Sequence, residues 1–480
     1  MNNPAPSTRF RAPMLHLLLL ASALMLATTV AAQAPAVPTR PEYRVTRFDE
    51  SWGVIRSIEA KHPVDQLKYI PLTGSGAAYL SIGGQFRARG EAVSNFLSSG
   101  AADRTDSFGL ARALLHADLR TGRYLRLFAE GKHAVAFSRD LPGGKRPLDQ
   151  DEWELQNAFV DLTYPGTSAY SFTARVGRQE LLVGSQRLVS PLDWSNTRRT
   201  FEGGRLIARV SAVTLDGFLT EPVVVQVNDR NSIDTNSTFW GGTARGSTPS
   251  PTFAWEVFAL GLSQDSVALF GSNGEHDRVT LGGRLTGAFA GGPVRYDLEG
   301  GWQTGDLGSR NIAAWFVATD ITRSFAAAPL RPTVGLGFDY ASGDSDPADD
   351  KAGTFHQLFP LGYAYAGYMD LVGRQNLIEA RAVATANPTA AIQTRAALHH
   401  FMRATTSDAA YNVGGGVLRE DWSDDRAIGS ELNLTAAYRL NRHTRLELGY
   451  GHFVPADFLT GSPAGAEDSD WGFVSTSFTF

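Results

Sequence analysis

Hydrophobic and polar residues alternate along most of this chain with a period of two, the repeat of a β-strand that has one apolar and one polar face. Within 79–92, Leu80 and Phe86 fall on one face, whereas Gln85 and Arg87 fall on the other. The same alternation recurs in 123–132, 293–303 and 441–450. Soluble antiparallel sheets alternate as well, so the period predicts strands without deciding where they lie.

About 18 strands can be placed by this pattern, and their lengths suit a tilted crossing of a membrane. They begin near Ala78, Ser107, Arg123, Glu154, Tyr170, Gly203, Ser211, Ser237, Pro251, Glu275, Pro293, Arg310, Pro329, Asp370, Ala390, Arg426, His443 and Trp471. Because the number is even, both ends of the predicted sheet lie on the same side of the membrane.

The connections between these strands alternate in length. Long connections include 94–106, 137–153, 180–200, 342–369, 402–425 and 453–470. Short, turn-like connections lie at 121–122, 165–166, 291–292, 387–388 and 440–441. Short periplasmic turns and long extracellular loops are typical of outer-membrane barrels, and a soluble sandwich has no reason to separate loops in this way. The sequence therefore predicts an all-β fold, a transmembrane antiparallel β-barrel of about 18 strands.

The N-terminal segment indicates export. Arg9 and Arg11 precede an apolar run at 15–30, and small residues follow it. This order is typical of a cleavable secretory signal, so we assign 1–34 to a signal peptide. No apolar run long enough for a spanning helix follows.

The remaining chain divides into two parts. Residues 35–77, called the lead-in below, are expected in the periplasm, and residues 78–480 are expected to form the barrel. The chain ends in Phe480 with Val474 and Phe478 on the same face of the last strand, and this ending resembles the signal read by the outer-membrane assembly machinery. We therefore expect the protein in the outer membrane of a Gram-negative cell, in contact with lipid and lipopolysaccharide.

Composition excludes several functions. The chain has no cysteine, which excludes disulfides, thiol nucleophiles and thiolate metal sites, and its formal net charge of -5 gives no reason to expect nucleic-acid binding. The motifs of serine hydrolases, P-loop proteins, zinc proteases and dinucleotide-binding enzymes are missing. We therefore predict a channel rather than an enzyme, without a cofactor. The remote alternative is an outer-membrane barrel hydrolase with a Ser/His/acid site on its wall.

Arginines recur on the strand faces that are predicted to line the lumen. They include Arg87, Arg89, Arg126, Arg175, Arg205, Arg295, Arg395 and Arg445. The planar guanidinium group matches a carboxylate, and cationic side chains along a pore select anions. Carboxylates are interspersed on the same faces, so these arginines either form a path for anions or form ion pairs that support the wall.

The connection at 177–201 is rich in charged residues and is a candidate constriction loop. Its candidate residues are Arg178, Glu180, Arg187, Asp193 and Arg199. Functional residues are often carried by loops. Such a loop either folds into the pore and narrows it or packs on the rim.

A second loop, with Asp344, Asp346 and Asp349, suggests a weak calcium site because oxygen ligands at short spacing suit calcium. The loop lacks the residue order of an EF-hand. A solvated surface loop is the alternative.

Four stretches of the sequence resemble the alginate export porins. They are 47–84 with RFDESW, LKYIPL and YLSIGG, 177–201 from GRQEL to RTF, 338–376 from FDYASGD to the asparagine, and 449–455 with GYGHFVP. The resemblance implies a barrel of 18 strands whose constriction includes an inward loop. It implies passive passage of an anionic, alginate-like polysaccharide or a related solute, with periplasmic polysaccharide secretion proteins as partners. A specific uptake porin for small organic anions or sugars remains the alternative.

Overall fold

The computed structural model describes residues 39–58, 62–98, 104–167, 169–248, 253–420 and 422–480. The predicted signal peptide at 1–34 lies outside the described residues. Among the described residues, no helix is both long enough and apolar enough to cross a bilayer.

Eighteen antiparallel strands form one closed sheet. They are β1 (Ala78–Ser94), β2 (Asp106–Thr121), β3 (Leu125–Phe137), β4 (Asp151–Thr167), β5 (Tyr170–Gln179), β6 (Phe201–Val210), β7 (Val213–Val224), β8 (Ser237–Ser247), β9 (Phe253–Leu269), β10 (Ser272–Ala288), β11 (Val294–Leu307), β12 (Arg310–Ser324), β13 (Thr333–Ala341), β14 (Leu377–Ala386), β15 (Ile392–Arg403), β16 (Ala427–Arg439), β17 (Thr444–Pro455) and β18 (Ser469–Thr479).

The barrel closes between its first and last strands. β18 pairs with β1 from Gln85↔Thr479 to Ser94↔Asp470, and every other strand pairs with its neighbours in the chain. Closure leaves no open edge, which is required in a bilayer because lipid offers no hydrogen-bond partner to the backbone. The predicted fold class is therefore confirmed.

Short elements occupy the connections and the lead-in. The short strands are Ile70–Pro71, Ser232–Ile233, Lys351–Ala352, Ala410–Tyr411 and Val417–Arg419. The helices are α1 (Asp65–Lys68) and α2 (Asp457–Thr460), and single 3-10 turns lie at Arg47–Asp49, Trp52–Ser57, Phe96–Ser98 and Phe289–Gly291.

The strand starts predicted from the sequence differ from the observed ones by a few residues, with one larger exception. β14 was predicted to begin near Asp370, but it begins at Leu377. The intervening Leu371 and Val372 are buried, so their apolar pattern resembles that of a strand although they belong to a loop inside the barrel. The expected alternation of loop length also fails at 270–271 and 308–309, where long strands are joined by two-residue turns.

The outer and inner faces of the wall differ as the alternation predicts. Leu206, Leu336 and Val474 project outward and are 68%, 70% and 64% exposed in the protein alone. Apolar side chains of this kind suit contact with lipid. The inward positions carry charged and polar groups, together with aromatic residues that pack against chain segments inside the barrel.

The lead-in was expected in the periplasm, but its described part packs against the inner wall. The Phe48 ring packs edge-to-face on the stacked rings of Phe128 and Phe159, at centroid distances of 5.9 Å and 5.3 Å. The Arg175 guanidinium group lies 4.6 Å from the Phe48 ring, and Arg126 donates a hydrogen bond of 2.8 Å to the Phe48 carbonyl. The lead-in therefore narrows the lumen beside β3, β4 and β5.

Two basic residues join the lead-in to the seam of the barrel. Arg47 donates hydrogen bonds to the carbonyl of Gly84 in β1 at 3.0 Å and to that of Phe480 at 2.8 Å. Lys68 donates to the carbonyl of Ile82 at 3.0 Å, and its ammonium group lies 4.9 Å from the Trp52 ring. These contacts tie the lead-in to both ends of the barrel sheet.

We expect Phe48→Ala to release the lead-in from the wall. Phe48 is buried, and loss of a buried phenylalanine costs about 3–5 kcal/mol. Limited proteolysis of the folded protein should then cleave the lead-in faster, while the heat-modifiable gel shift of the barrel stays in place. Phe172→Ala, at an exposed outward position of β5, is the control. Equal cleavage of both variants would contradict this docking.

Candidate substrate path through the barrel

The segment 180–200 between β5 and β6, called the crossing loop below, lies inside the lumen. Arg87 of β1 donates to the carbonyls of Asp193 and Ser195 at 2.8 Å and 2.6 Å. Arg112 of β2 donates to the Asp193 carboxylate at 2.7 Å and to the Ser195 carbonyl at 3.0 Å. Two arginines of the wall therefore fix one end of the crossing loop.

A second point of the crossing loop, Arg187, is fixed on a distant part of the wall. The fully buried guanidinium group of Arg187 lies 2.9 Å from the Glu299 carboxylate of β11 and 2.6 Å from the Asp320 carboxylate of β12. Charge-assisted pairs of this kind are the stronger hydrogen bonds of proteins. Because β1 and β12 are far apart around the sheet, the loop crosses the lumen.

Arg198 joins the crossing loop to the lead-in. Its guanidinium group pairs with Glu180 at 2.6 Å and with Asp193, and it donates to the Val45 carbonyl at 2.9 Å. Burial opposes ionisation of Asp193, but the Arg198 and Arg112 guanidinium groups outweigh it and hold the pKa of Asp193 below its usual range. The carboxylate therefore stays charged at neutral pH and continues to hold the loop.

A second segment, 342–376 between β13 and β14, also folds inward and is called the tethered loop below. Arg374 lies 2.6 Å from the Asp339 carboxylate of β13. The backbones of the two loops bond to each other, because Ser190 donates to the Phe359 carbonyl at 2.9 Å and Phe359 donates to the Leu188 carbonyl at 2.8 Å.

An apolar cluster lies between the two loops and the wall. Its members include Leu188, Val189, Phe201, Phe239, Phe316, Phe355 and Phe401. Each such side chain, when fully buried, stabilises the folded protein by roughly 1.5–3 kcal/mol. The loops are therefore held by packing as well as by ion pairs.

The tethered loop meets β16 at a pair of carboxyl groups. The Met369 amide donates to Glu431 at 3.0 Å, and a Cβ atom on Gly367, whose φ is +87°, would lie 2.5 Å from the Glu431 carboxylate. A glycine is therefore needed here. Beside this contact, Asp370 has a buried Oδ1 atom with no hydrogen-bond partner among the described residues.

Of the arginines predicted to line the lumen, five are engaged in the structure, and the partners of Arg87 are given above. Arg89 pairs with Glu91 at 2.7 Å and donates to the Trp194 carbonyl at 2.8 Å. The other three form ion pairs on the wall: Arg126 with Asp118 at 2.7 Å, Arg175 with Asp161 at 2.7 Å, and Arg205 with Asp216 at 2.5 Å. These five hold the wall, the crossing loop or the lead-in.

The remaining three predicted arginines are less neutralised. Arg295 on β11 is exposed, and no ion pair joins Arg295 or Arg395 to a carboxylate of the described residues. Arg445 on β17 is 42% exposed at its side chain and lies 3.3 Å from Glu447. All three follow the inward register of their strands, so their charge faces the lumen.

The candidate loop residues are brought together, with one exception. Glu180, Arg187 and Asp193 make the contacts given above, and Arg199 donates to the Phe359 carbonyl at 2.6 Å. Arg178 belongs to β5 and pairs with Glu202 of β6 at 3.0 Å. It lies in the outward register, so it is not part of the constriction.

In the acidic loop the aspartates contact Arg310 and backbone amides. Asp344 pairs with Arg310 at 2.5 Å, and the backbone amides of Asp346 and Lys351 bond to Asp344 and Asp349. Among the residues that the structure describes, no group of three metal-ligating side chains comes together. The aspartates serve the turn, and Asp349 lies 3.9 Å from the same Arg310 guanidinium group.

On the outer wall, the Nδ1 atom of His400 lies 2.9 Å from the Ser430 hydroxyl. No carboxylate of the described part of the chain bonds to this imidazole. The arrangement lacks the acid that the hydrolase alternative requires.

Sequence reasoning missed several residues that shape the lumen. Arg374 joins the tethered loop to Asp339 of the wall, and Arg381 of β14 pairs with the same carboxylate. The rings of Trp194, Tyr363 and Tyr368 meet inside the barrel. The two tyrosines could have been noticed in the sequence, because three tyrosines fall within 363–368 of a loop that is otherwise rich in glycine and alanine. Their contact with Trp194 of the crossing loop could not be predicted from the sequence spacing.

The alginate export family matches residues 78–473 of the chain. Among curated proteins, none matches the chain by sequence.

Several solved structures share this fold. Acinetobacter baumannii OccAB1 has a TM-score of 0.57 and 12% identity, covering 87% of this chain and 99% of its own. Pseudomonas aeruginosa OccK11 (OpdR) has a TM-score of 0.52 and 13% identity, covering 84% and 96%. Pseudomonas aeruginosa OccK2 (OpdF) in complex with glucuronate has a TM-score of 0.53 and 12% identity, covering 83% and 98%. At these identities the likeness concerns the fold.

We expect Arg187→Gln to loosen the crossing loop. The substitution leaves the buried Glu299 carboxylate without its cation, whereas Asp320 keeps Arg381, and loss of one partner of a buried ion pair costs about 3–5 kcal/mol. Single-channel recordings should show a larger and noisier conductance than the unchanged protein. Arg178→Gln, which breaks the partly exposed pair with Glu202 in the outward register of the wall, is the matched control. A quiet, unchanged conductance for Arg187→Gln would show that packing alone holds the loop.

We expect the tethered loop to loosen at alkaline pH. Burial and the neighbouring Glu431 carboxylate raise the pKa of Asp370 from 3.8 to about 8, against the opposing effect of Arg146 and Arg89. A raised acid pKa means that docking is favoured while Asp370 is protonated, and that this contribution is lost as pH rises toward 8. Conductance noise should therefore increase between pH 6 and 9 in the unchanged protein. Asp370→Asn should not show this increase, and a pH response that survives the substitution would assign it to another group.

Proposed function

The chain belongs to the alginate export family, and on that premise we propose that an anionic polysaccharide or a related anionic solute crosses its lumen by passive diffusion along exposed arginines. Family and fold make the protein an outer-membrane barrel channel for solutes rather than an enzyme. The identity of the solute belongs to the proposal.

The proposal rests on one observation. The inward arginines form two groups, which differ in whether their charge is already paired. Most of them are paired with carboxylates or loop carbonyls, but Arg295, Arg395 and Arg445 keep more of their charge available to the lumen. A carboxylate that crosses a bilayer needs compensating cations along its way, because the surrounding medium has a low dielectric constant. The arginine side chain provides this charge with two parallel donors.

A barrel of this fold has been solved with a uronate, since OccK2 (OpdF) is in complex with glucuronate. This makes a uronate a reasonable first solute to test with the present chain. The proposal includes a periplasmic polysaccharide secretion protein as a partner of the channel.

Uptake of small organic anions or sugars is the second candidate, and the narrowing of the lumen favours it. The crossing loop, the tethered loop and the lead-in enter the same space, with Arg198 joining two of them. A narrow passage suits small solutes better than a polymer. Reconstituted vesicles loaded with uronates of increasing length distinguish the two, because an export channel releases oligomers and an uptake porin releases only the shortest.

We expect removal of two lumen charges to lower anion preference. Arg295→Gln combined with Arg445→Gln removes two cations, and at an effective dielectric constant of about 20 each contributes on the order of 2 kcal/mol to an anion about 8 Å away, before screening. The Debye length of about 10 Å at 0.1 M salt makes low ionic strength the right condition. Reversal potentials in planar bilayers should shift toward cation permeation.

Arg323→Gln is the control, because this exposed arginine of β12 lies in the outward register beside Val294 of β11. It removes charge at a similar height of the wall, but outside the lumen. If the double variant keeps its anion preference while its gel shift shows a folded barrel, the arginine path is wrong. The channel would then conduct neutral solutes.

A further inference from the structure

Three aromatic rings from two loops meet inside the barrel. The Trp194 ring of the crossing loop stacks on the Tyr363 ring of the tethered loop, at a centroid distance of 4.5 Å and an interplanar angle of 22°. Tyr368 lies 5.2 Å from Tyr363 and 5.7 Å from Trp194. We call these three residues the ring cluster.

The wall supports the ring cluster from behind. Trp471 and Phe473 of β18 are buried and lie 6.0 Å and 5.2 Å from the Trp194 ring. The Arg89 guanidinium group lies 4.5 Å from the same ring. The three rings of the cluster, in contrast, remain partly exposed. Their position is therefore fixed while part of their apolar surface faces the lumen.

Free cationic charge borders the ring cluster. The Arg395 guanidinium group lies 5.5 Å from the Tyr368 ring, and its Nη1 atom is buried with no hydrogen-bond partner among the described residues. Arg445 and Glu447 act electrostatically on the Tyr368 hydroxyl. Buried donors in proteins normally have acceptors, so the described residues leave part of the hydrogen-bonding capacity of Arg395 unused.

Negative groups near the ring cluster are mostly neutralised. Asp193 is held by Arg112 and Arg198, and Glu447 lies 3.3 Å from Arg445. Burial and Glu431 raise the pKa of Asp370 to about 8, so this group is largely protonated at neutral pH. An incoming carboxylate therefore meets little repulsion beside Arg395.

Partly exposed rings beside Arg395, which forms no ion pair within the described part of the chain, suit one chemical class of ligand. The C–H face of a pyranose ring is apolar and packs on an aromatic face, while its hydroxyl groups remain in water. A uronate adds a carboxylate that an arginine binds with two donors. A simple anion would not pack on the rings, and an apolar solute would not bind the guanidinium group.

We propose that the ring cluster and Arg395 form a binding subsite for one uronic acid unit, with the sugar ring on Tyr363 and Tyr368 and its carboxylate on Arg395. The subsite deepens the proposed function and rests on it. It adds recognition of the sugar ring to selection by charge, so the lumen distinguishes a polyuronate from another polyanion of equal charge.

The test compares two polyanions as blockers of the purified channel in planar bilayers. One is a uronate oligomer, and the other is an oligoglutamate of equal charge. One ring contact is worth about 1 kcal/mol, which corresponds to roughly a five-fold change in an equilibrium constant. We expect Tyr363→Leu to shorten the uronate block about five-fold and to leave the oligoglutamate block unchanged. Tyr363→Phe, which keeps the ring, should restore the uronate block.

Tyr164→Leu is the matched control, because Tyr164 is an exposed residue on the outer face of β4. Arg395→Gln should weaken the block by both polyanions, since it removes the shared charge. If Tyr363→Leu changes both blocks equally, or neither, while anion preference persists, the subsite is wrong and the proposed function stands. Absence of anion preference in the unchanged protein would overturn the proposed function itself.

Discussion

A wall of 18 strands encloses more space than its own inward side chains can fill, and this constraint governs how the rest of the chain is used. Small barrels fill their interior with wall residues, whereas this one brings in the crossing loop, the tethered loop and the lead-in. Each inserted segment must compensate buried charge as well as occupy volume, because an unpaired ion at low dielectric constant is costly. Arg187 does both, since it is fully buried and bridges from its loop to Glu299 and Asp320.

The fold was largely predictable, and the interior was not. Strand positions follow from a period of two that the bilayer enforces on every strand, so even single-sequence reading found almost all of them. The start of β14 was wrongly predicted at Asp370, because Leu371 and Val372 are buried inside the barrel and have the apolar pattern of a strand.

Inward side chains could be assigned from the strand register, but the residues they pair with could not. Arg126 and Arg295 look alike in sequence, yet only Arg126 meets a carboxylate, and that carboxylate belongs to a neighbouring strand. Arg178 was misplaced because the loop was assumed to begin before β5 had ended.

The two uses of arginine separate in space and in chemistry. Where a guanidinium group faces a carboxylate of the wall or a carbonyl of an inserted loop, it fixes structure. Where it faces the lumen beside aromatic rings, as Arg395 does, it remains available to a solute. The arginines that fix structure thereby shape the passage. We assign its selectivity for solutes to the arginines that have no such structural role. Because the rings come from both loops, any property they confer depends on the loops being docked together.

The position of Arg47 has a consequence for biogenesis. Its guanidinium group bonds to Gly84 of the first strand and to Phe480 at the end of the last, residues separated by almost the whole chain. The two carbonyls stand side by side only where β18 pairs with β1, so the double contact of Arg47 requires a closed sheet. The lead-in can therefore complete this contact only in a closed barrel, and a barrel open at the seam between β1 and β18 would leave Arg47 without one of its two acceptors.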